Sequence, residues 1–502
     1  MPGGDKPSII ELAKRRGFFW PAFEIYGGAG GFYEYGPVGT LLKLRIENMI
    51  RDYYVIHENC LLFEAPILTI EQLWATSGHL ENFGDVTIEC EQCGEPYRAD
   101  HLLEENTKKQ AEGLSPAQLA KELAAAKVKC RKCGGKLGKP YDYNLMFRTT
   151  IGPGKNKLGG ALRPETAQTT YVAFKRLAAM ARQTLPFGVL QMGKSFRNEI
   201  SPRKAIIRLR EFSQAEIQFF LDPKTKNNHP NFASMKKRTI PVLKKQDQIK
   251  GKTTATSLMI NELVTKKCTS EFIAYYLARS VELFLNMGID KKRLRLRQHR
   301  DDERSFYSSD TWDVEFLSDE FGVIELVGIA DRTDYDLTRH QDTTKTDMSI
   351  DVDGKKIVPQ VIEIAYGIDR PLYCVLESCY KKEKDRGVLM LPPALAPYQV
   401  AVFPLVKKDG LPKIAKDIVK ELKEAGFYTI YDEGFIGKVY YRQDEIGTLA
   451  AVTIDYNTKK DKTITVRDRN TKAQVRVPRS KIVSVITNLL AGADLKKLGK
   501  AV

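Results

Sequence analysis

The 502-residue chain has no apolar run near the ~18 residues that a membrane-spanning helix needs, so no membrane association is expected. Its eight cysteines are too few for a disulfide scaffold and fit a reducing, cytoplasmic setting, where thiols serve metal or redox chemistry. The polar opening MPGGDKPS leads into no apolar stretch, so no signal peptide is expected. No internal repeat is visible, which argues against a solenoid. Acids are in deficit, 63 against 79 basic residues, and the net charge is +16. That excess argues for a polyanionic partner. The last 112 residues hold 20 Lys and Arg against 12 acids, which is half of it.

Hydrophobic content of 42% and aromatic content of 9% are those of an ordinary globular protein. The length predicts roughly three domains. The Gly- and aromatic-rich start, GFFWPAFEIYGGAGGFYEYGP, reads as an ordered loop because aromatics need burial. Residues 40–55 form a helix with Leu42, Ile46, Met49, Ile50 and Tyr53 on one face. Pro66 then places the strand CLLFEAPIL at an edge or an interface.

Two CxxC pairs, Cys90/Cys93 and Cys130/Cys133, are each followed by Gly, with a predicted helix (116–127) between them. Such knuckles close a tetrahedral thiolate site on zinc. Four thiolates leave no open coordination position, so the zinc reads as structural. The other reading is a set of free thiols.

The stretch from 193 to 220, GKSFRNEISPRKAIIRLREFSQAEIQFF, alternates charge with apolar residues. We read a strand ending near Glu199, a turn at Ser201-Pro202, and a return strand from about Ile206. Its arginines suit phosphate oxygens, which guanidinium binds bidentately; the bland reading is a salt-bridged surface hairpin. Residues 223–267 hold eleven Lys or Arg and two acids, which fits a solvated basic face or a nucleic-acid contact. Glu325 and Glu363 interrupt apolar strands, FGVIELVGIAD and VIEIAYG, where a charge needs a partner or a metal. Glu165 precedes a helix, either favoured by the dipole or held for a cationic ligand. From Leu391 onward a compact pattern of alternating strands and helices follows.

Three separated stretches, the helix–strand with Pro66, the hairpin with FRNE at 196–199 and the strand–helix with Gly367-Ile-Asp-Arg370, resemble motifs 1, 2 and 3 of class II aminoacyl-tRNA synthetases. YGPVG, RADHL, LRPETAQ, FRNEISPR, REFSQAEI, RQH, ELVGIADR and RQDEIGT resemble the archaeal and eukaryotic glycyl-tRNA synthetase family over nearly the whole chain. The resemblance implies an α+β catalytic core, residues 1–390, with an antiparallel class II synthetase sheet of six or seven strands flanked by helices. Insertions fall at about 87–143 (zinc-binding) and about 222–296 (basic, partly helical). A C-terminal α/β anticodon-binding domain is implied over 391–502.

It also implies the chemistry. ATP activates glycine to glycyl-adenylate, and the glycyl group passes to the 3′ end of tRNA(Gly). Arg197 matches the arginine on the α-phosphate, Glu199 the acid that reads the adenine amino group, and Arg370 and Phe212 the pair enclosing the adenine. Arg203 and Arg208 match ligands of the outer phosphates. Glu325 matches the carboxylate for Mg²⁺ and ATP. Asn198, Ile207, Leu209, Leu326 and Gly367 complete the expected ATP site. Glu165, Glu216 and Glu363 match three carboxylates around the ammonium of glycine, with Arg98, Phe212, Gln214, Ala365 and Gly367 nearby. Ala365 departs from family members that carry Ser there, which removes a hydroxyl contact. Glu363 stands where the class-wide motif 3 has Gly, which favours the glycine branch. The smallest amino acid can be selected by steric exclusion, without editing. Motif 1 implies a homodimer. The rival readings are another class II aminoacyl-tRNA synthetase, or a non-catalytic synthetase-like tRNA-binding protein.

Overall fold

The computed structural model describes residues 8–107, 109, 111, 113–202, 205–352, 354–383 and 386–502. Its central feature is a sheet of nine strands. In chain order they are β1 (Leu61–Phe63), β2 (Phe187–Phe196), β3 (Glu211–Leu221), β4 (Thr239–Leu243), β5 (Thr256–Met259), β6 (Leu294–Gln298), β7 (Asp310–Ser318), β8 (Gly322–Thr333) and β9 (Gln360–Gly367). Across the sheet they run β5-β4-β6-β7-β8-β9-β3-β2-β1. The six strands from β6 to β2 are antiparallel to one another. β1 joins parallel to β2, and β4 parallel to β6. The sheet is thus larger than the six or seven strands expected, because the basic segment after Asp222 supplies β4 and β5, and it is mixed at its ends, where β4 and β1 join in parallel.

Alternation decides which side of each strand does what. Ala215, Ile217 and Phe219 of β3 and Ile362, Ile364 and Tyr366 of β9 face one hydrophobic core. Helices Pro37–Asp52, Glu271–Asn286 and Asp369–Cys379 pack on that side. Leu42, Ile46 and Ile50 recur every four residues on the first of these and are fully buried. Burial of such side chains stabilises by roughly 1.5–3 kcal/mol each. The YGPVG motif is explained by packing at this helix's start. A Cβ on Gly39 would lie 1.7 Å from the Phe18 carbonyl oxygen, so only glycine fits.

Two readings are corrected by the structure. The return of the hairpin is not extended from Ile206; Ala205–Ile207 is a 3₁₀ turn and the strand begins at Glu211. Ile206 and Leu209 are both buried, a three-residue spacing that a turn satisfies and a strand does not. The aromatic loop near the start is also not uniformly buried: Phe18 and Phe19 are, whereas Phe23 and Tyr26 are exposed.

Residues from Val400 onward build a separate six-stranded sheet with its own core, packed by helices Leu411–Glu424 and Ile482–Leu490. Among the described residues no helix is long and apolar enough to cross a membrane.

Candidate active site

The polar side of β3, β8 and β9 forms the floor of a cavity of ≈ 280 Å³. Phe212, Gln214 and Glu216 lie on it in succession along β3, and Glu363, Ala365 and Gly367 along β9. Register fixes their mutual positions: Gln214 pairs with Gly367, Glu216 with Ala365, and Ala365 in turn with Gly328 of β8. Four residues along β3 span about 13 Å. The cavity therefore has two chemically distinct ends.

One end is acidic. Glu165, Glu216 and Glu363 line it and are all buried. Glu216 Oε2 accepts from the Thr166 N–H (2.9 Å) and the Thr166 hydroxyl (2.6 Å), and Oε1 accepts from Gln214 Nε2 (3.0 Å). Glu363 Oε1 accepts from Gln218 Nε2 (3.1 Å) and Arg332 Nη1 (3.1 Å). Glu165 lies 3.3 Å from His79 and 3.8 Å from Arg332. The fully buried Arg332 is committed to Asp336 by two hydrogen bonds, of 2.7 and 3.0 Å. Acid thus outweighs base. Burial, then the charges of Glu363 and Glu165, push the Glu216 carboxyl up to about 8. Burial raises Glu363 as well, against the pull of Arg332. For Glu165 burial is outweighed by His79 and Arg332, and its carboxyl is held low. Gln214 Oε1 is buried and finds no hydrogen-bond partner among the described residues. Three carboxylates and an idle acceptor around one small space call for a cation rich in N–H donors.

The other end carries guanidinium groups. Arg197, at the end of β2, donates from Nε to the Pro164 carbonyl (3.2 Å) and lies over the rings of Phe83 and Phe212. Arg208 is 3.6 Å from Glu199. Arg370, in the first turn after β9, donates to the carbonyls of Ile207 and Glu325 and lies 3.2 Å from the Glu325 carboxylate. Glu325 is half exposed into the cavity. Burial opposes its charge, but Arg370 and His299 prevail and lower its pKa. A bulge sets its direction. Val314 pairs with Val327 and Glu315 with Glu325, so Leu326 is left over and points into the core.

Of the residues singled out from the sequence, Glu165, Arg197, Glu199, Ile207, Arg208, Leu209, Phe212, Gln214, Glu216, Glu325, Glu363, Ala365, Gly367 and Arg370 line this one cavity. Three others do not. Asn198 is held by the Tyr143 hydroxyl and the Leu145 carbonyl. Arg98 is bound by Asp85 (3.2 Å) and Asp100 (2.5 Å). Leu326 is in the core. Arg203 lies outside the described residues. Sequence reasoning missed Thr166, Arg332, Asp336 and the cavity-lining His299, Tyr307 and Asp313. The quoted motifs LRPETAQ, RQH and ELVGIADR contain three of these, which was the available signal.

Away from the cavity, the four cysteines Cys90, Cys93, Cys130 and Cys133 converge, with all sulfurs within 4.8 Å of one another. Cys90–Cys133 and Cys93–Cys130 are 3.5 and 3.6 Å apart. Sulfurs at 2.3 Å from a tetrahedral zinc would be about 3.8 Å apart, so the set fits a metal. The two knuckles repeat one geometry: Gly94 and Gly134 donate to the carbonyls of Cys90 and Cys130, both at positive φ. A small sheet (Gly84–Glu89, Pro96–Arg98, Tyr141–Asn144) connects them to the hairpin loop, where Ser201 donates to the Pro96 carbonyl.

Residues 153–379 match the tRNA synthetase class II core domain (G, H, P, S and T), and residues 399–489 the anticodon binding domain. A prolyl-tRNA synthetase from Cryptosporidium parvum, solved with halofuginone and AMPPNP, shares the fold at TM-score 0.57 and 14% identity, over 96% of this chain and 77% of that one. The fold is that of a class II aminoacyl-tRNA synthetase. The chain is 40% identical to the glycine–tRNA ligase of Methanothrix thermoacetophila (97% of each chain), and 39% identical to those of Methanocaldococcus jannaschii (96% and 98%) and Pyrococcus abyssi (97% and 98%). It belongs to the glycine–tRNA ligase family.

Proposed function

We propose that this cavity aligns glycine and ATP for adenylate formation, with the residue roles that follow. The observation that carries the reading is the convergence of Glu165, Glu216 and Glu363 in the same cavity as Arg197 and Arg370. The three carboxylates and Gln214 Oε1 hold the glycine ammonium. Phe212 and Arg370 enclose the adenine, and Glu199 accepts from its amino group. Arg208 meets the outer phosphates. Arg197, the arginine of that end whose charge also reaches Glu165, would meet the α-phosphate. A glycine carboxylate oxygen attacks that phosphorus, the bond to the bridging oxygen of the β-phosphate breaks, and pyrophosphate leaves. The terminal ribose hydroxyl of tRNA(Gly) then attacks the glycyl carbonyl carbon, the bond from that carbon to the phosphate oxygen breaks, AMP departs, and the hydroxyl proton passes to solvent. No side chain needs to form a covalent bond; alignment and charge stabilisation supply the rate.

Glu325, a carboxylate open to the cavity, would help hold Mg²⁺ on the ATP phosphates, where the ion neutralises charge on the leaving pyrophosphate. The four cysteines hold a structural zinc that ties the knuckles together. The cysteines are unpaired by disulfides, which fits a cytoplasmic protein. Edge strand β1 and its surroundings expose Leu62, Ile67, Leu68, Ile70 and Leu158, an apolar surface suited to pairing with a second copy. The domain from about 391 onward takes the anticodon, and residues 1–390 carry catalysis.

ATP–pyrophosphate exchange across the twenty amino acids tests the reading. Exchange with glycine alone is expected; exchange with another amino acid, or with none, would refute it.

A further inference from the structure

Glycine offers no side chain to grip, so a glycine site works by leaving no room beyond Cα. The floor of the acidic end cannot do this. Gly328 and Ala330 of β8 pair with Ala365 and Glu363 of β9, so the strands present a methyl group or nothing at all beside the carboxylates. Such a floor is open to alanine or serine. Exclusion has to come from the opposite wall.

That wall is the loop from 299 to 309, which joins β6 to β7. It is pinned at both ends. His299 Nε2 lies 2.7 Å from Asp313 Oδ2, and the Ser309 N–H donates to the Asp331 carbonyl (2.8 Å). Phe306 packs against Tyr335 at 5.6 Å between ring centroids. Tyr307 turns into the cavity, its ring centroid 3.8 Å from the Arg332 guanidinium carbon. Arg332 donates to Glu363 and approaches Glu165, so the ring lies over the group that joins two of the three carboxylates.

We infer that Tyr307 is the specificity-determining wall of the amino-acid end: its ring fills the space that an α-substituent would need. The inference rests on the placement of the glycine ammonium among the three carboxylates. One methylene is worth roughly 10–200-fold in discrimination where a pocket reads it by shape. The test is pyrophosphate exchange with glycine and with L-alanine in Tyr307→Ala and Tyr307→Phe. Tyr307→Phe keeps the ring and retains the exclusion of alanine. Tyr307→Ala is expected to raise kcat/KM for alanine relative to glycine at least ~10-fold. A ratio within about twofold of the parent enzyme would overturn the inference, as would a folded variant dead with both substrates, since a wall is not needed for the chemistry. If Tyr307→Ala does not fold, Tyr307→Leu stands in, with a smaller gain expected and no gain counting against the wall. Glu216→Gln in the same assay separates the two claims. Unchanged glycine KM there removes the ammonium site itself, whereas raised KM beside a glycine-only Tyr307→Ala removes the wall alone.

Discussion

Glu216→Gln is the sharpest test of the acidic end, because the substitution keeps shape and prevents the carboxylate that an arriving ammonium would pair with. Glu216 is 3% exposed and takes three hydrogen bonds, two of them from Thr166. Glutamine can keep its oxygen toward the two Thr166 donors. Its amide nitrogen then faces Gln214 and the cavity, and an acceptor for the ammonium becomes a donor. Loss of one charge-assisted hydrogen bond costs about 1.5–3 kcal/mol. At 1.4 kcal/mol per decade this is roughly a 10- to 150-fold rise in glycine KM, less than the loss of the whole site because Glu165 and Glu363 remain. The assay is glycine dependence of ATP–pyrophosphate exchange, with ATP KM as the internal reference, since the arginine end is untouched. A glycine KM within twofold of the parent, or an equal rise in ATP KM, would refute the reasoning.

The same residue predicts a pH dependence. Its carboxyl is raised to about 8, so the empty site holds a proton that an arriving ammonium must displace. Glycine KM should fall as pH rises toward about 8, by up to one decade per unit, and flatten beyond; a flat profile from pH 6 to 8 refutes this. The folded state binds the extra proton between about pH 4.5 and about 8, so the ligand-free enzyme loses stability as pH rises through that window; thermal melts that do not decline there, or decline equally in Glu216→Gln, count against it. The cysteine site predicts one zinc per chain by elemental analysis, and a lowered melting temperature on replacing Cys130 and Cys133 by Ser; metal-free protein of undiminished stability refutes it. For the basic segment deletion is the wrong test, because Ile240, Val242, Ile260 and Leu263 belong to the main core. Replacing exposed Lys236, Lys237, Lys250 and Lys267 by Ala should leave pyrophosphate exchange intact and flatten the salt dependence of tRNA KM by ~0.7–0.9 per lost phosphate contact; an unchanged slope removes the tRNA role.

The sequence made some of this legible and hid the rest, for reasons that differ by residue. The acid stranded in the apolar strand at Glu363 was readable, because a buried charge needs a partner, and it does face the cavity; Glu216 was legible only through the family resemblance. The cysteine pairs were readable because knuckle spacing is local. The direction of Glu325 was not, since it depends on a bulge opposite Val314 and Glu315 that no run of residues announces. Nor was Arg332 legible as the hub of the site: its partners Asp336 and Glu363 come from a following helix and a separate strand. Ile206 and Leu209 misled because alternating charge imitates a strand, while their shared burial belongs to a turn.

Core and site are written in one alternating pattern, and this constrains both. On β9, Ile362, Ile364 and Tyr366 are fully buried, while Glu363, Ala365 and Gly367 face the cavity. The cavity face diminishes along the strand, from a carboxylate to a methyl group to no side chain, so the surface recedes toward the end where a flat base would lie, and Arg370 then returns over it. The neighbouring strand matches the two smaller steps, Glu216 beside Ala365 and Gln214 beside Gly367, while Glu363 pairs with Gln218 and accepts a hydrogen bond from it. A one-residue slip between β3 and β9 would bury the carboxylates and expose the isoleucines. The buried face therefore holds the register, and the register sets which β9 residue stands beside each β3 residue at the acidic end and at the arginine end. Substitutions at Ile362 or Ile364, which touch neither end, are expected to act on catalysis through that register.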